Sequence, residues 1–260
     1  VTAVVKARTD AQLVAEAARL ARHAAATGYG TYTTPPIYGG AYDQEIPAGT
    51  SNPYWEIVRR MPTRNFYGSS AEPDGSWMTN DVYVLKSAHD FGLDRSALCA
   101  RYAWSVPTPG DITWLVGMLD GCGVVEIGAG SGYWAWQMAQ AGIDVIAYDP
   151  EPPGPENRYN QHRVYHPVQI GDALCAADHP DRALFLCWPS YGDPWAAQAL
   201  AAYRGDLLLF AGEGGGGCTA DDDFFAMLDK DWEEVSSAPR HVTYWGIHCR
   251  LGAWTRKADQ

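Results

Sequence analysis

Val124-Val125-Glu126-Ile127-Gly128-Ala129-Gly130-Ser131-Gly132 decides how the chain is read, because an apolar run of strand length ends in three alternate glycines and a helical pattern opens at Tyr133. Glycine lets backbone approach a ligand where a Cβ would clash, and a helix N-terminus offers N–H groups to polar or anionic atoms. The stretch therefore predicts a strand, a tight turn and a helix that together receive a nucleotide-like ligand. A tight turn with no ligand is the plain structural alternative.

Downstream, strand and helix patterns alternate over 124–127, 133–141, 145–148, 168–170, 183–186, 194–203 and 207–210. Such alternation builds a parallel sheet covered on both faces. Two late strands, 232–235 and 251–255, have no clear crossover helix between them and read as a hairpin on the sheet edge. The fold class is α/β, with a doubly wound Rossmann-like sheet of about seven strands and a C-terminal antiparallel hairpin.

Upstream the grammar is different. Thr9 and Gln12 form a capping-box pair ahead of Leu13, Ala17, Leu20 and Ala24, which recur at helical spacing until Gly28 and Gly30. From Tyr29 to Pro53 the chain carries Gly, Pro, Thr and Tyr without periodicity, a long loop whose tyrosines at 29, 32, 38 and 42 suit an ordered binding element. Short helices are predicted over 53–61, 81–91 and 109–119, the last after a Thr108 cap. Residues 1–108 thus read as a mainly helical cap segment and 109–260 as the ligand-binding domain.

The 260 residues carry a formal net charge of −12, which speaks against a nucleic-acid partner, since phosphate contacts need clustered Lys and Arg. Six cysteines show no C-x-x-C pair and no Cys/His spacing for a metal, so no metal site is expected and a reduced, cytoplasmic setting is. Cys187, inside an apolar run, reads as a buried small hydrophobe. No basic leader precedes an apolar stretch and no apolar run reaches bilayer length, so the expectation is a soluble, unprocessed protein with no membrane partner, monomeric or homodimeric.

A dinucleotide fingerprint would place glycine where Tyr133 stands, so the nicotinamide reading lacks its third glycine. The spacing from Glu126 is instead E-x-G-x-G-x-G, which resembles motif I of the class I S-adenosylmethionine (SAM) dependent methyltransferases, through Glu126, Gly128, Gly130 and Gly132. Asp149 closes the second strand, where the resemblance implies a carboxylate on the two ribose hydroxyls. Asp172, in Gly171-Asp172-Ala173, then matches the acidic residue that commonly holds the adenine amino group. The resemblance runs from about Pro109 to the C-terminus and includes the late antiparallel edge. It implies SAM as cofactor and S-adenosylhomocysteine (SAH) as product. Tyr102, just before the domain, is a candidate for the methionine carboxylate, with aromatic packing under the helix as its alternative.

Ligands in open α/β sheets collect beyond the carboxyl ends of the strands. After the fourth strand comes Trp188-Pro189-Ser190-Tyr191, which partly resembles the Asn/Asp-Pro-Pro-Tyr motif of amino-group methyltransferases but has Trp188 and Ser190 where that motif has a polar residue and a second proline. After the fifth, Glu213 precedes four glycines and is placed to accept a proton or hold a cationic amine, unless it is a solvated loop carboxylate. His248, between the late strands, is a candidate general base. Glu213, Tyr191 and His248 are thus the candidate catalytic groups, acting on a small-molecule acceptor. Two rivals keep the same cofactor: an enzyme that cyclises or cleaves SAM, as certain members of this superfamily do, and a SAM-binding module that regulates a partner without turnover.

Overall fold

The computed structural model describes residues 8–27, 44–61, 63–65, 80–82, 93–151, 153–154, 157, 163–244 and 247–258. Their elements in order are α1 (Asp10–Thr27), α2 (Pro53–Val58), β1 (Thr63–Asn65), β2 (Asn80–Val82), α3 (Arg95–Arg101), α4 (Pro109–Leu119), β3 (Val124–Ile127), α5 (Tyr133–Gln140), β4 (Val145–Asp149) and β5 (Gln169–Ile170). A 3-10 helix (Ala173–Asp178) follows, then β6 (Ala183–Cys187), α6 (Trp195–Ala202), β7 (Leu207–Gly212), α7 (Asp222–Asp231), β8 (Trp232–Ser237), β9 (Val242–Tyr244) and β10 (Arg250–Arg256).

Seven strands form the main sheet in the order β5-β4-β3-β6-β7-β10-β8. Strands β3 to β7 run parallel, and β10 lies antiparallel between β7 and β8. This is a doubly wound α/β sheet with an antiparallel edge. From β3 the chain winds outward through β4 and β5, then returns to add β6 on the other side. The reversal between β3 and β6 is the switch point at which such sheets open a crevice.

Alternation along the strands supplies both faces. Val125 and Ile127 pack with Leu184, Leu186 and Leu208 under α6 and α7, while Val124, Phe185 and Leu209 pack with Leu115, Trp134 and Met138 of α4 and α5. Helix boundaries follow local chemistry. Thr108 and Asp111 complete a reciprocal capping box at α4, with Pro at its first position. Thr9 and Gln12 do the same ahead of α1.

A third cluster joins α1, α2 and α3 to the main domain. Tyr102 stacks on Tyr54 at 4.9 Å and meets Tyr133 edge-on, and the Tyr133 hydroxyl donates to Asn52 Oδ1 and accepts the Tyr54 N–H. A small second sheet, β1-β2-β9, was not anticipated. It corrects the helix expected from Asp81, because Asn80–Val82 is a strand that pairs with β1 and β9; residues 83–92 lie outside the described residues. So do the tyrosines at 29, 32, 38 and 42. No described helix is long and apolar enough to cross a membrane. All six cysteines are free, and among the described residues no group of three or more His, Cys, Asp or Glu could hold a metal.

Candidate functional site

The crevice at the switch point is a cavity of about 830 Å³, with walls from the ends of β3, β4 and β6 and the segment before the 3-10 helix. Its floor is the turn after β3. Gly128 and Gly132 hold φ of +74° and +71°, the left-handed region that L side chains avoid. A Cβ at Gly128 would lie 2.6 Å from the ring of Trp195, itself a cavity residue. Glycine 128 therefore admits an indole beneath the turn.

Four of the turn's N–H groups are engaged by protein. Gly128 and Ala129 donate to the Tyr148 carbonyl and Gly132 to that of Ala129. Gly130 donates to Asp149 Oδ2 at 2.8 Å. This departs from the free donors the glycine pattern predicts, because the carboxylate that ends β4 reaches across to the neighbouring turn.

Asp149 accepts a second N–H, from Glu151, on Oδ1. Burial pushes its pKa upward against the opposing pull of these two N–H groups. Asp172 caps the 3-10 helix by accepting the Leu174 N–H at 2.9 Å, and it too lines the cavity. Glu126 differs from both. It is 1% exposed, and its Oε2 is buried with no hydrogen-bond partner. Burial raises its pKa to about 8, opposed by the Ala135 N–H and reinforced by Asp149. On the same cavity, Trp134 Nε1 is a buried donor that also lacks a partner.

The opposite end is formed by Trp188, Ser190 and Tyr191. Trp188 carries φ of +51°, which is uncommon for a bulky side chain. Pairing with the next loop fixes the segment: Ser190 bridges Thr219, Ala220 N–H donates to the Pro189 carbonyl, and Gly192 N–H donates to that of Ala220. Tyr191 is 75% exposed on the rim. Cys187 lines the cavity, and burial holds its thiol well above the usual value. That keeps it neutral rather than nucleophilic.

Two sequence-derived expectations are corrected. Glu213 is 4% exposed and absent from the cavity wall. Its Oε2 accepts the Cys218 N–H and its Oε1 the His248 N–H, so it clamps two loops instead of facing an acceptor. His248 is brought to Glu213 by its backbone, while its side chain is exposed and outside the cavity. Tyr102 borders the cavity, but its ring is fully buried and its hydroxyl donates to Asp10 Oδ1 at 2.6 Å. Burial, then Asp10, push its pKa up, and the ring packs on Tyr54 and Tyr133, in keeping with the aromatic-packing alternative. His248→Ala should accordingly leave SAH affinity and turnover unchanged. A loss of about tenfold or more in rate at neutral pH would return the imidazole to the mechanism.

No family model and no curated protein matches the chain. Solved structures do. Magnesium protoporphyrin IX methyltransferase from Synechocystis PCC 6803, with bound SAM, is 14% identical over 56% of this chain and 76% of its own, at a TM-score of 0.38. The 1,6-didemethyltoxoflavin-N1-methyltransferase of Burkholderia thailandensis, with 1,6-didemethyltoxoflavin and SAH bound, is 18% identical over 75% and 99%, at 0.37. The likeness is distant. The strand order and the residues of the crevice carry the assignment of the site.

Proposed function

We propose that the chain is a SAM-dependent methyltransferase acting on a small-molecule acceptor, with SAH as product. Glu126 carries this reading. A buried carboxylate with an unpartnered oxygen is costly unless a donor or cation completes it, and the α-ammonium of a methionine moiety is such a group. The partnerless Trp134 Nε1–H suits the adjoining carboxylate. Asp149 has used one acceptor position on each oxygen, and a carboxylate offers about four, so a ribose diol fits there. Asp172 stands for the adenine amino group. The glycine turn supports the same choice, because a pyrophosphate would need the N–H groups that Gly128, Ala129, Gly130 and Gly132 already spend on protein.

When bound, SAM would supply an electrophilic methyl on a sulfonium. The residues of this chain contribute position. Indole faces on the cavity favour a cation, and the loop at Trp188 to Tyr191 would hold the acceptor in line. A volume of about 830 Å³ is near the upper end for a single small ligand and leaves room for a second, which favours transfer over cyclisation. Residues 1–108 serve as a cap in this reading, supported by the packing of Tyr54 and Tyr102 on Tyr133.

Calorimetry with SAH tests the assignment. Wild-type chain should bind it, and Asp149→Ala should weaken binding by about 1.5–3 kcal/mol, the worth of hydrogen bonds to a charged group. Binding of NAD in place of SAH would refute the reading. SAM incubated alone should stay intact; release of methylthioadenosine would convert the assignment to a lyase or cyclase.

A further inference from the structure

Charge on the cavity wall has one sign. Among the described residues the wall carries five carboxyl groups, those of Glu126, Asp149, Glu151, Asp172 and Asp193, and no Lys, Arg or His. None of the five makes an ion pair with a described residue. Glu126 Oε2 is in addition buried with no hydrogen-bond partner, a deficit that a donor or a cation fills. A cleft lined by one sign of charge draws in ligands of the other sign and rejects its own. Among the described residues these carboxylates do not group as a metal site would require, so the complementary charge is organic.

In the methyltransferase reading the cofactor leaves much of this charge unanswered. SAM has an ammonium, a sulfonium and a carboxylate, hence one net positive charge, and it meets Asp149 and Asp172 with neutral donors. Asp193 belongs to the loop after β6, at the end of the cavity formed by Trp188, Ser190 and Tyr191. Its Oδ1 accepts the Trp195 N–H at 3.3 Å, which leaves Oδ2 for a ligand.

Aromatic faces add to this carboxylate. Tyr191 and Trp195, two residues to either side of Asp193, both line the cavity. Trp188 and Trp104 differ, because the Arg95 guanidinium carbon already stacks on them at 4.7 and 5.3 Å without joining the wall. A ring that serves one cation attracts a second less strongly. The pull on a ligand cation is therefore centred on Asp193 and Trp195.

We infer that the acceptor is a small aromatic amine, cationic at neutral pH, whose ammonium is held by Asp193 beside Trp195. The inference rests on the methyltransferase reading for the word acceptor, and on the cavity wall alone for the cation. An aromatic body suits a wall furnished with Trp104, Trp134, Trp188 and Trp195. Asp193 acts here as a specificity-determining residue that recognises charge.

The test uses the full chain and three probe sets, each an amine with its alcohol and its acid: phenethylamine, 2-phenylethanol and phenylacetate; tyramine, tyrosol and 4-hydroxyphenylacetate; tryptamine, tryptophol and indole-3-acetate. Each probe is titrated calorimetrically with SAH present and again without it. At least one amine should bind about tenfold more tightly than its alcohol, with the matching acid weakest. Asp193→Asn keeps the Oδ1 acceptor for Trp195 and removes the charge, so it should cut the amine's advantage about three- to fivefold with SAH affinity unchanged. An alcohol or acid that binds as tightly as its amine in every set, no binding of any amine, or an advantage undiminished in Asp193→Asn overturns the inference. The wild-type ranking needs no variant, so it holds even if Asp193→Asn fails to fold. Failure of SAH itself to bind would sink the methyltransferase reading, while the titrations without SAH would still decide the cation site.

Discussion

Glu126→Gln should raise the melting temperature of the ligand-free chain and at the same time weaken its hold on SAH. In the unfolded chain this carboxyl titrates near 4.5, and in the folded chain, through burial, at about 8. Between those values the folded state keeps a proton that the unfolded state has released. Stability contributed by Glu126 is therefore fully present in acid and is lost as pH rises from about 4.5 to 8. Glutamine removes the titration and the buried charge. At pH 8 the expected gain is about 2 kcal/mol, or about 4–8 °C for a chain of this size.

Binding should move the other way. Wild-type affinity for SAH should climb as pH approaches about 8, because the ammonium requires an ionised partner. The Gln variant should bind about 10- to 100-fold more weakly at pH 8, with this pH slope lost. Scanning calorimetry and titration calorimetry between pH 6 and 9 read both effects. A variant that melts lower would show that the buried carboxyl costs the fold nothing, and one that binds SAH as tightly as wild type would remove Glu126 from the ligand contact. The opposition between the two effects is what a group kept for function at a cost in stability produces.

Asp111→Asn should be the most damaging polar substitution away from the cavity. Asp111 is fully buried and His241 nearly so, with Nδ1 to Oδ2 at 3.0 Å. Burial pushes the His241 pKa down, but Asp111 and then Cys249 raise it further, to about 10. The imidazole is therefore charged at neutral pH. Its unfolded value is 6.5, so the stability it contributes is fully present below that pH and is lost as pH rises through about 10. Removing the carboxylate strands a buried imidazolium, a loss of about 3–5 kcal/mol. Urea unfolding at pH 6 should show that loss, and the fall in wild-type stability between neutral pH and about 10 should be much reduced in the variant. A loss below about 1 kcal/mol would mean that His241 is held neutral.

Much of this molecule can be read from its residues in order. The strand at 124–127, its glycine turn and the cap at Thr108 all depend on neighbours close in sequence, and the structure has each where local chemistry puts it. The cleft's acidic residues were also legible by position, since strand ends in an alternating pattern converge on one edge. What escaped depends on distant backbone. Glu213 and His248 lie 35 residues apart and meet through a main-chain N–H that no side-chain pattern encodes. His241 and Asp111 are 130 residues apart. The three-residue strands β1, β2 and β9 are too short for a period to emerge.

The place of β10 between β7 and β8 has a consequence for biosynthesis. The interior slot of the sheet is filled by the stretch translated after both of its neighbours. Until Arg256 has left the ribosome, β8 has no rung to join, and β7 shows an open, hydrogen-bond-hungry flank to other nascent chains. Completion of the sheet thus waits for β10, and a chain that stops short of Arg250 would be a sticky intermediate in place of a slightly shortened protein.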